Sequence, residues 1–254
     1  MRYALLISYD GTDYGGWQIQ NNCISVQSKM EEAAQSLFGT KTSVVASGRT
    51  DSGVHARAQV CHMDADTSIP PEKIADALNM RLPEDIRVIA SAVAPAGFDA
   101  NRSAKKKTYC FRTYISTRQH PLNDRYSVWV KGATDVEKLK FIARFFEGEH
   151  DFKAYSKSGS TAKTTVRTVY SIDVKTSQTL GATNVEIYVT GNGFLYNMVR
   201  TIVGTMFGYA QGALDKERII NSLETGNRDL VGKTMPAKGL TLESVDYGVN
   251  LFNL

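Results

Sequence analysis

One short run concentrates groups able to do chemistry: Gly48-Arg49-Thr50-Asp51-Ser52-Gly53-Val54-His55-Ala56, set between two apolar stretches. Asp-Ser-Gly alone is ordinary turn chemistry, because Asp and Ser bond nearby backbone and glycine accepts positive φ. A turn needs neither Arg49 nor His55, and turns seldom hold so many functional groups. The run is therefore a candidate active site, with Asp51 as its candidate catalytic carboxylate. Two-carboxylate glycoside hydrolysis would want a second Asp or Glu across the site. The segment around Asp51 offers none.

Other patterns lead nowhere. Gly232-Lys233-Thr234 invites a phosphate-loop reading, but the pattern needs glycine where Asn227 stands. Gly191-x-Gly193 lacks the third glycine of a dinucleotide fingerprint. There is no Gly-x-Ser-x-Gly for a hydrolase elbow. The four histidines show no paired metal spacing, and Cys61-His62 reads as an ordinary pair on a strand. No metal is expected. Cys23, Cys61 and Cys110 are few, odd in number and far apart, which suits a reducing cytoplasm better than a disulfide framework. No stretch approaches the ~18 consecutive apolar residues of a membrane span.

Charge says more by its distribution than by its net value of +4. Between Ala100 and Arg118 stand Arg102, Lys105, Lys106, Lys107, Arg112 and Arg118 with no acid among them. Between Lys153 and Thr168 stand Lys153, Lys157, Lys163 and Arg167, again without an acid. A solvated basic face accounts for such runs equally well. The first run also alternates with Tyr109, Phe111 and Tyr114, and cations beside aromatics are what an RNA groove requires.

The elements that must position these groups can be read from periodicity. Tyr3, Leu5, Ile7 and Tyr9 alternate, giving a first strand over 2–9 rather than a signal peptide. Ser25 can cap a helix with Val26, Met30, Ala33, Ala34 and Leu37 on one face, ending at Gly39. Strands are expected at 43–47, 57–63 and 86–93, with a helix from Pro70-Pro71 through Met80. Further strands are expected at 107–115, 164–175, 183–190 and 239–247. Thr134-x-x-Glu137 reads as a capping box for a helix through Phe146. A helix from Phe194 to Gln211 and another from Asp215 to Glu224 follow. The expectation is an α+β fold of two pseudo-related lobes, 1–103 and 104–254, sharing a mainly antiparallel sheet flanked by helices.

Ser47 through Ala56 resembles the signature of the tRNA pseudouridine synthase A family. The likeness extends to Tyr9-Asp10-Gly11-Thr12-Asp13-Tyr14-Gly15-Gly16-Trp17-Gln18, to Phe98-Asp99-Ala100 with Ser103-Ala104, and to Lys107-Thr108-Tyr109. Gly148-Glu149-His150-Asp151-Phe152, Asn192-Gly193-Phe194 with Met198-Val199-Arg200, and Lys238-Gly239-Leu240 through Tyr247 follow in order. Two stretches depart from the commoner pattern, Thr108-Tyr109-Cys110 and Ala154-Tyr155-Ser156; neither carries the catalytic carboxylate.

The resemblance implies the pseudouridine synthase fold and a homodimeric, cofactor-free enzyme that isomerises uridine in the tRNA anticodon stem and loop, positions 38, 39 and 40. Its nucleophile falls on Asp51, its base-packing tyrosine on Tyr109 and the arginine pairing with the aspartate on Arg200. Arg49 is implied to fill the space of the flipped base or to hold a phosphate. A paralogue acting on ribosomal RNA, or a non-catalytic RNA-binding relative, would carry much of the same pattern. The intact Asp51, Tyr109 and Arg200 favour an enzyme.

Overall fold

A computed structural model describes residues 1–157 and 163–252, so residues 158–162 of the second basic run lie outside the described residues. The first half of the chain forms β1 (Arg2–Tyr9), α1 (Val26–Phe38), β2 (Val44–Ala46), β3 (His55–Asp64), α2 (Ile74–Asn79), β4 (Ile86–Val93) and β5 (Lys106–Ile115). Then come β6 (Val128–Val130), α3 (Val136–Ala143), β7 (Gly148–Asp151), β8 (Val166–Thr179), β9 (Ala182–Gly191), α4 (Met198–Ala210), α5 (Lys216–Thr225) and β10 (Leu240–Asp246). Among the described residues, ten strands in mixed, mainly antiparallel pairing with flanking helices make this the expected α+β fold. No helix among them is long and apolar enough to cross a membrane.

The chain divides into two compact units, Met1–Lys107 with Thr241–Leu254, and Thr108–Leu240. This differs from a split at 103/104. β10 returns to the first unit and pairs in parallel with β3, Thr241 facing His55 and Leu242 facing Ala56. Arg57–Glu243 (3.0 Å) and Lys106–Asp246 (3.1 Å) ion pairs fasten it there. Such a pairing joins residues far apart in sequence, which local periodicity does not report.

In the first unit the strand order is β4-β1-β3-β10, with β2 added to β3. Tyr3, Leu5, Ile7 and Tyr9 are buried as the alternation of β1 requires. The opposite face of β1 presents Ala4, which clusters with Val60, Phe98, Ala100 and Tyr247. α1 starts where Ser25 Oγ accepts the Ser28 N–H (3.1 Å) and stops at Gly39, whose φ of 71° only glycine adopts at little cost. It buries Val26, Met30, Ala33 and Ala34, and a fully buried Val or Met side chain contributes about 1.5–3 kcal/mol.

In the second unit β8 and β9 form a long antiparallel hairpin with β7 on its outer side, and β6 pairs in parallel with β5. α3 packs on α4 and β8. Ten of the residues of α4 are buried, as in a helix enclosed on nearly every side. Two helix starts differ from the expectation. α3 is capped by Asp135, not Thr134, because the Asp135 carboxylate accepts both the Glu137 (2.9 Å) and Lys138 (3.3 Å) N–H groups. α4 starts at Met198, since Asn197 has a φ of 65° and interrupts the helical path from Phe194.

Candidate functional site

In the first unit Asp51 lies half-buried in the connection between β2 and β3, with Arg49 exposed beside it. The connection is held from both sides by backbone. Val54 N–H donates to Asp51 O (3.1 Å), closing a turn in which Gly53 takes a φ of 76°. Trp17 N–H donates to Thr50 O (3.1 Å), and Gly53 N–H and Ser52 Oγ both donate to Tyr14 O (3.3 Å each). The hydroxyls of Tyr9 and Thr50 meet at 2.8 Å. Burial pushes the Tyr9 phenol up to about 12, so it stays a neutral bonding partner.

Two glycines permit this grip. A Cβ on Gly11 would sit 2.0 Å from Val54 O, and one on Gly16 would sit 2.5 Å from Thr50 O and 3.0 Å from the Asp51 carbonyl carbon. The Tyr9–Gln18 segment is therefore a backbone cradle for the Asp51 turn, and any side chain at 11 or 16 would displace it. His55, which the sequence sets beside Asp51, is buried and turned to the cradle. Its Nδ1 lies 3.1 Å from Gly11 N and 3.0 Å from Asp10 Oδ1. A bare Nδ1 accepts from Gly11; a protonated one donates to Asp10. Either way the ring ties the start of β3 to the cradle.

The loop is also fixed at its root. Ser47 is fully buried. Its N–H donates to Val60 O (2.7 Å), its hydroxyl donates to Gln59 Oε1 (2.6 Å), and its carbonyl accepts from Asn101 Nδ2 and Lys107 Nζ (2.6 Å each). Sequence reasoning gave no role to Gln59 or Asn101, and it counted Lys107 among the cations of the first basic run, whereas here Lys107 binds a carbonyl of the protein itself.

The second unit holds Tyr109 and Arg200. Tyr109 is buried on β5, and Phe194 meets it edge-on with centroids 5.3 Å apart and planes at 89°. Phe194 belongs to the turn after β9. Asn192 anchors that turn by accepting the Thr168 N–H at Oδ1 and donating its own N–H to Thr168 O (3.0 Å each). Asn197, at the other end, accepts from Arg200 Nη1 (2.8 Å), while Arg200 Nε donates to Met235 O (2.7 Å). One turn thus serves both candidates, packing Tyr109 through Phe194 and orienting the planar guanidinium through Asn197. Gly232-Lys233-Thr234 packs backbone to backbone on α4, where a Cβ on Gly204 would sit 1.8 Å from Lys233 O.

The basic runs are only partly available to a polyanion. Lys106 pairs with Asp246 and Arg112 with Glu186 (3.1 Å each), whereas Arg102, Lys105, Arg118, Lys153, Lys157 and Lys163 are exposed. Phe111 and Tyr114 are fully buried core residues, so the aromatic alternation of the first run reflects packing and offers them to no base. A depression of about 510 Å³ lined by Lys29, Glu32, Ala33, Ser36, Arg81 and Pro83 contains none of the candidate residues. Among the described residues no group of three or more His, Cys, Asp or Glu side chains is placed to hold a metal.

A family model described as tRNA pseudouridine synthase matches residues 5–101 and 142–248. The chain is 38% identical over 243 residues to "tRNA pseudouridine synthase A" of Clostridium kluyveri, covering 96% of this chain and 98% of that one. It is 40% identical over 244 residues to "tRNA pseudouridine synthase A 2" of Clostridium perfringens, with 96% and 98% covered. Against "tRNA pseudouridine synthase A" of Syntrophotalea carbinolica the identity is 41% over 243 residues, with 96% and 95% covered.

Proposed function

The chain belongs to the tRNA pseudouridine synthase family of isomerases, and from that premise we propose that it converts uridine to pseudouridine in the anticodon stem and loop of tRNA, positions 38, 39 and 40, with Asp51 as nucleophile. The reaction breaks the N1–C1′ bond, turns the base, joins C5 to C1′, and releases the C5 proton while N1 gains one. An ionised carboxylate serves three routes through it, attack at C1′, attack at C6, or removal of the C2′ proton, and each needs that group held still against the ribose.

The observation that carries the reading is the double hold on the Asp51 turn, by the Gly11–Trp17 cradle and by the buried Ser47 root. Immobilising the reacting group ahead of the substrate is how a site lowers an activation barrier. In this reading Tyr109 packs against the target base once it has left its stack, and Arg200 pairs with Asp51 and favours its ionised form. Arg49 fills the vacated space or holds a phosphate. The enzyme needs no metal or cofactor, acts in the cytoplasm and works as a homodimer whose exposed lysines and arginines track the RNA backbone.

Tritium release from C5-labelled uridine in tRNA anticodon stem-loops, beside ribosomal RNA fragments, tests the substrate and the residue together. The wild type is expected to act on the tRNA stem-loops. Asp51→Asn is expected to lose turnover while RNA affinity stays within about threefold, because phosphate contacts supply most of the binding. Asp51→Asn turnover within about tenfold of wild type would overturn the nucleophile, given that a reacting group typically supplies far more. Activity confined to ribosomal fragments would replace the substrate and leave Asp51 standing.

A further inference from the structure

We propose that Lys107 is a positioning residue for Asp51, setting where the catalytic turn begins by binding the Ser47 carbonyl; this rests on the function proposed above. A carbonyl oxygen has two acceptor sites, and on Ser47 both are taken, by Asn101 Nδ2 and by Lys107 Nζ at 2.6 Å each. The lysine bond is charge-assisted and so the stronger of the pair. Gln59, fully buried, accepts from Ser47 Oγ and donates to Gly48 O (3.0 Å). Every polar atom of Ser47 is therefore engaged before the chain turns out through Gly48 and Arg49 towards Asp51.

Gly48 belongs to the same device. A Cβ there would sit 2.8 Å from Lys107 Nζ, while the next Lys107 atom is 3.8 Å away. Glycine leaves room for the ammonium to reach the carbonyl, and alanine would crowd it and shift this flexible tip. Lys107 also precedes Tyr109 by two residues in β5, the spacing at which side chains leave a strand on the same face. The arrangement favours holding the turn over contacting RNA, because the ammonium is directed at the protein's own carbonyl.

The test compares Lys107→Met, Lys107→Arg, Gly48→Ala and the Lys107→Met/Gly48→Ala double variant by hydrogen exchange and by single-turnover tritium release. Lys107→Met is expected to raise exchange over residues 47–54 and to slow the chemical step by about 10–100-fold, the usual cost of misplacing a reacting group. RNA affinity is expected to stay within about threefold, since no phosphate contact is lost. Lys107→Arg, which can still donate to the carbonyl, is expected to recover part of the rate. Gly48→Ala, which crowds the ammonium without removing it, should slow the rate less than Lys107→Met, and the double variant should be no worse than Lys107→Met alone, because both act on one bond. Unchanged exchange over 47–54 in Lys107→Met overturns the proposal. Weakened RNA binding with an unchanged chemical step also overturns it, making Lys107 a phosphate contact. A wild-type protein inactive on every RNA would fail the proposed function, whereas the exchange comparison would still decide whether Lys107 holds the turn.

Discussion

Gly16→Ala is the sharpest probe of the cradle, because its effect can be worked out from two separable causes. Gly16 has a φ of 95°, and an alanine held in left-handed backbone costs about 1–2 kcal/mol. Its Cβ would also stand 2.5 Å from Thr50 O, and relaxing that to an ordinary contact of 3.4 Å moves the Asp51 turn by roughly 0.9 Å. A displacement of that order at a reacting group costs about 10–100-fold in rate. Gly39→Ala is the matched control: its φ is 71°, yet nothing lies within 4 Å of its Cβ position, so it carries backbone strain without the push. Single-turnover tritium release and thermal melting on both variants separate the causes. Both should melt earlier, and only Gly16→Ala should lose the rate. If the two variants retain the same rate constant, contact between Gly16 and the Thr50–Asp51 backbone does not position the proposed nucleophile.

Arg200→Ala loses the bonds to Met235 O and Asn197 Oδ1, so it should lower stability by roughly 1.5–3 kcal/mol in urea melts and abolish turnover. Arg200→Lys, which keeps the charge without the planar fork, should restore only part of the activity, and a fully active lysine variant would contradict the orienting role. His62 is held below its ordinary value first by burial and then by Arg2, against Asp99 and Asp64, which raise it. Its contribution is therefore complete above the unfolded value of about 6.5 and is lost as pH falls below it, since only the unfolded chain readily takes the proton. Melts at pH 7.5 and 5.5 should show this loss, and His62→Gln, which can still accept the Ala100 N–H, should show less of it; an equal loss in both would clear His62 of the effect.

What the sequence made legible was whatever is written locally. Ser25, Gly39 and Asp215 mark helix ends because capping is a matter of neighbouring residues, and β1 declares itself by alternation. Asp51 stood out because its neighbours are chemically expressive. β7 escaped notice because Gly-Glu-His-Asp has no apolar alternation, and β6 because three residues form no pattern. The start of α4 was misplaced because Leu195 continues the apolar spacing of Val199, Ile202 and Met206 across Asn197, whose left-handed backbone that spacing does not report. The return of β10 to β3, and with it the boundary between the units, depends on a pairing across most of the chain.

The supports of the candidate residues were hidden for a different reason, which bears on how the two units tolerate substitution. Around Asp51 the supports are largely backbone atoms and absent side chains: Gly11 and Gly16 act by having no Cβ, and Tyr14 and Trp17 contribute main-chain groups to the turn. Sequence records the identity of a side chain and says little about a carbonyl. Around Arg200 the hold is a side-chain fork between Asn197 and the Met235 carbonyl. The first arrangement should tolerate little added volume, and the second little change in chemistry at constant volume. Glycine-to-alanine changes and charge-conserving changes should therefore report on different units of the same enzyme.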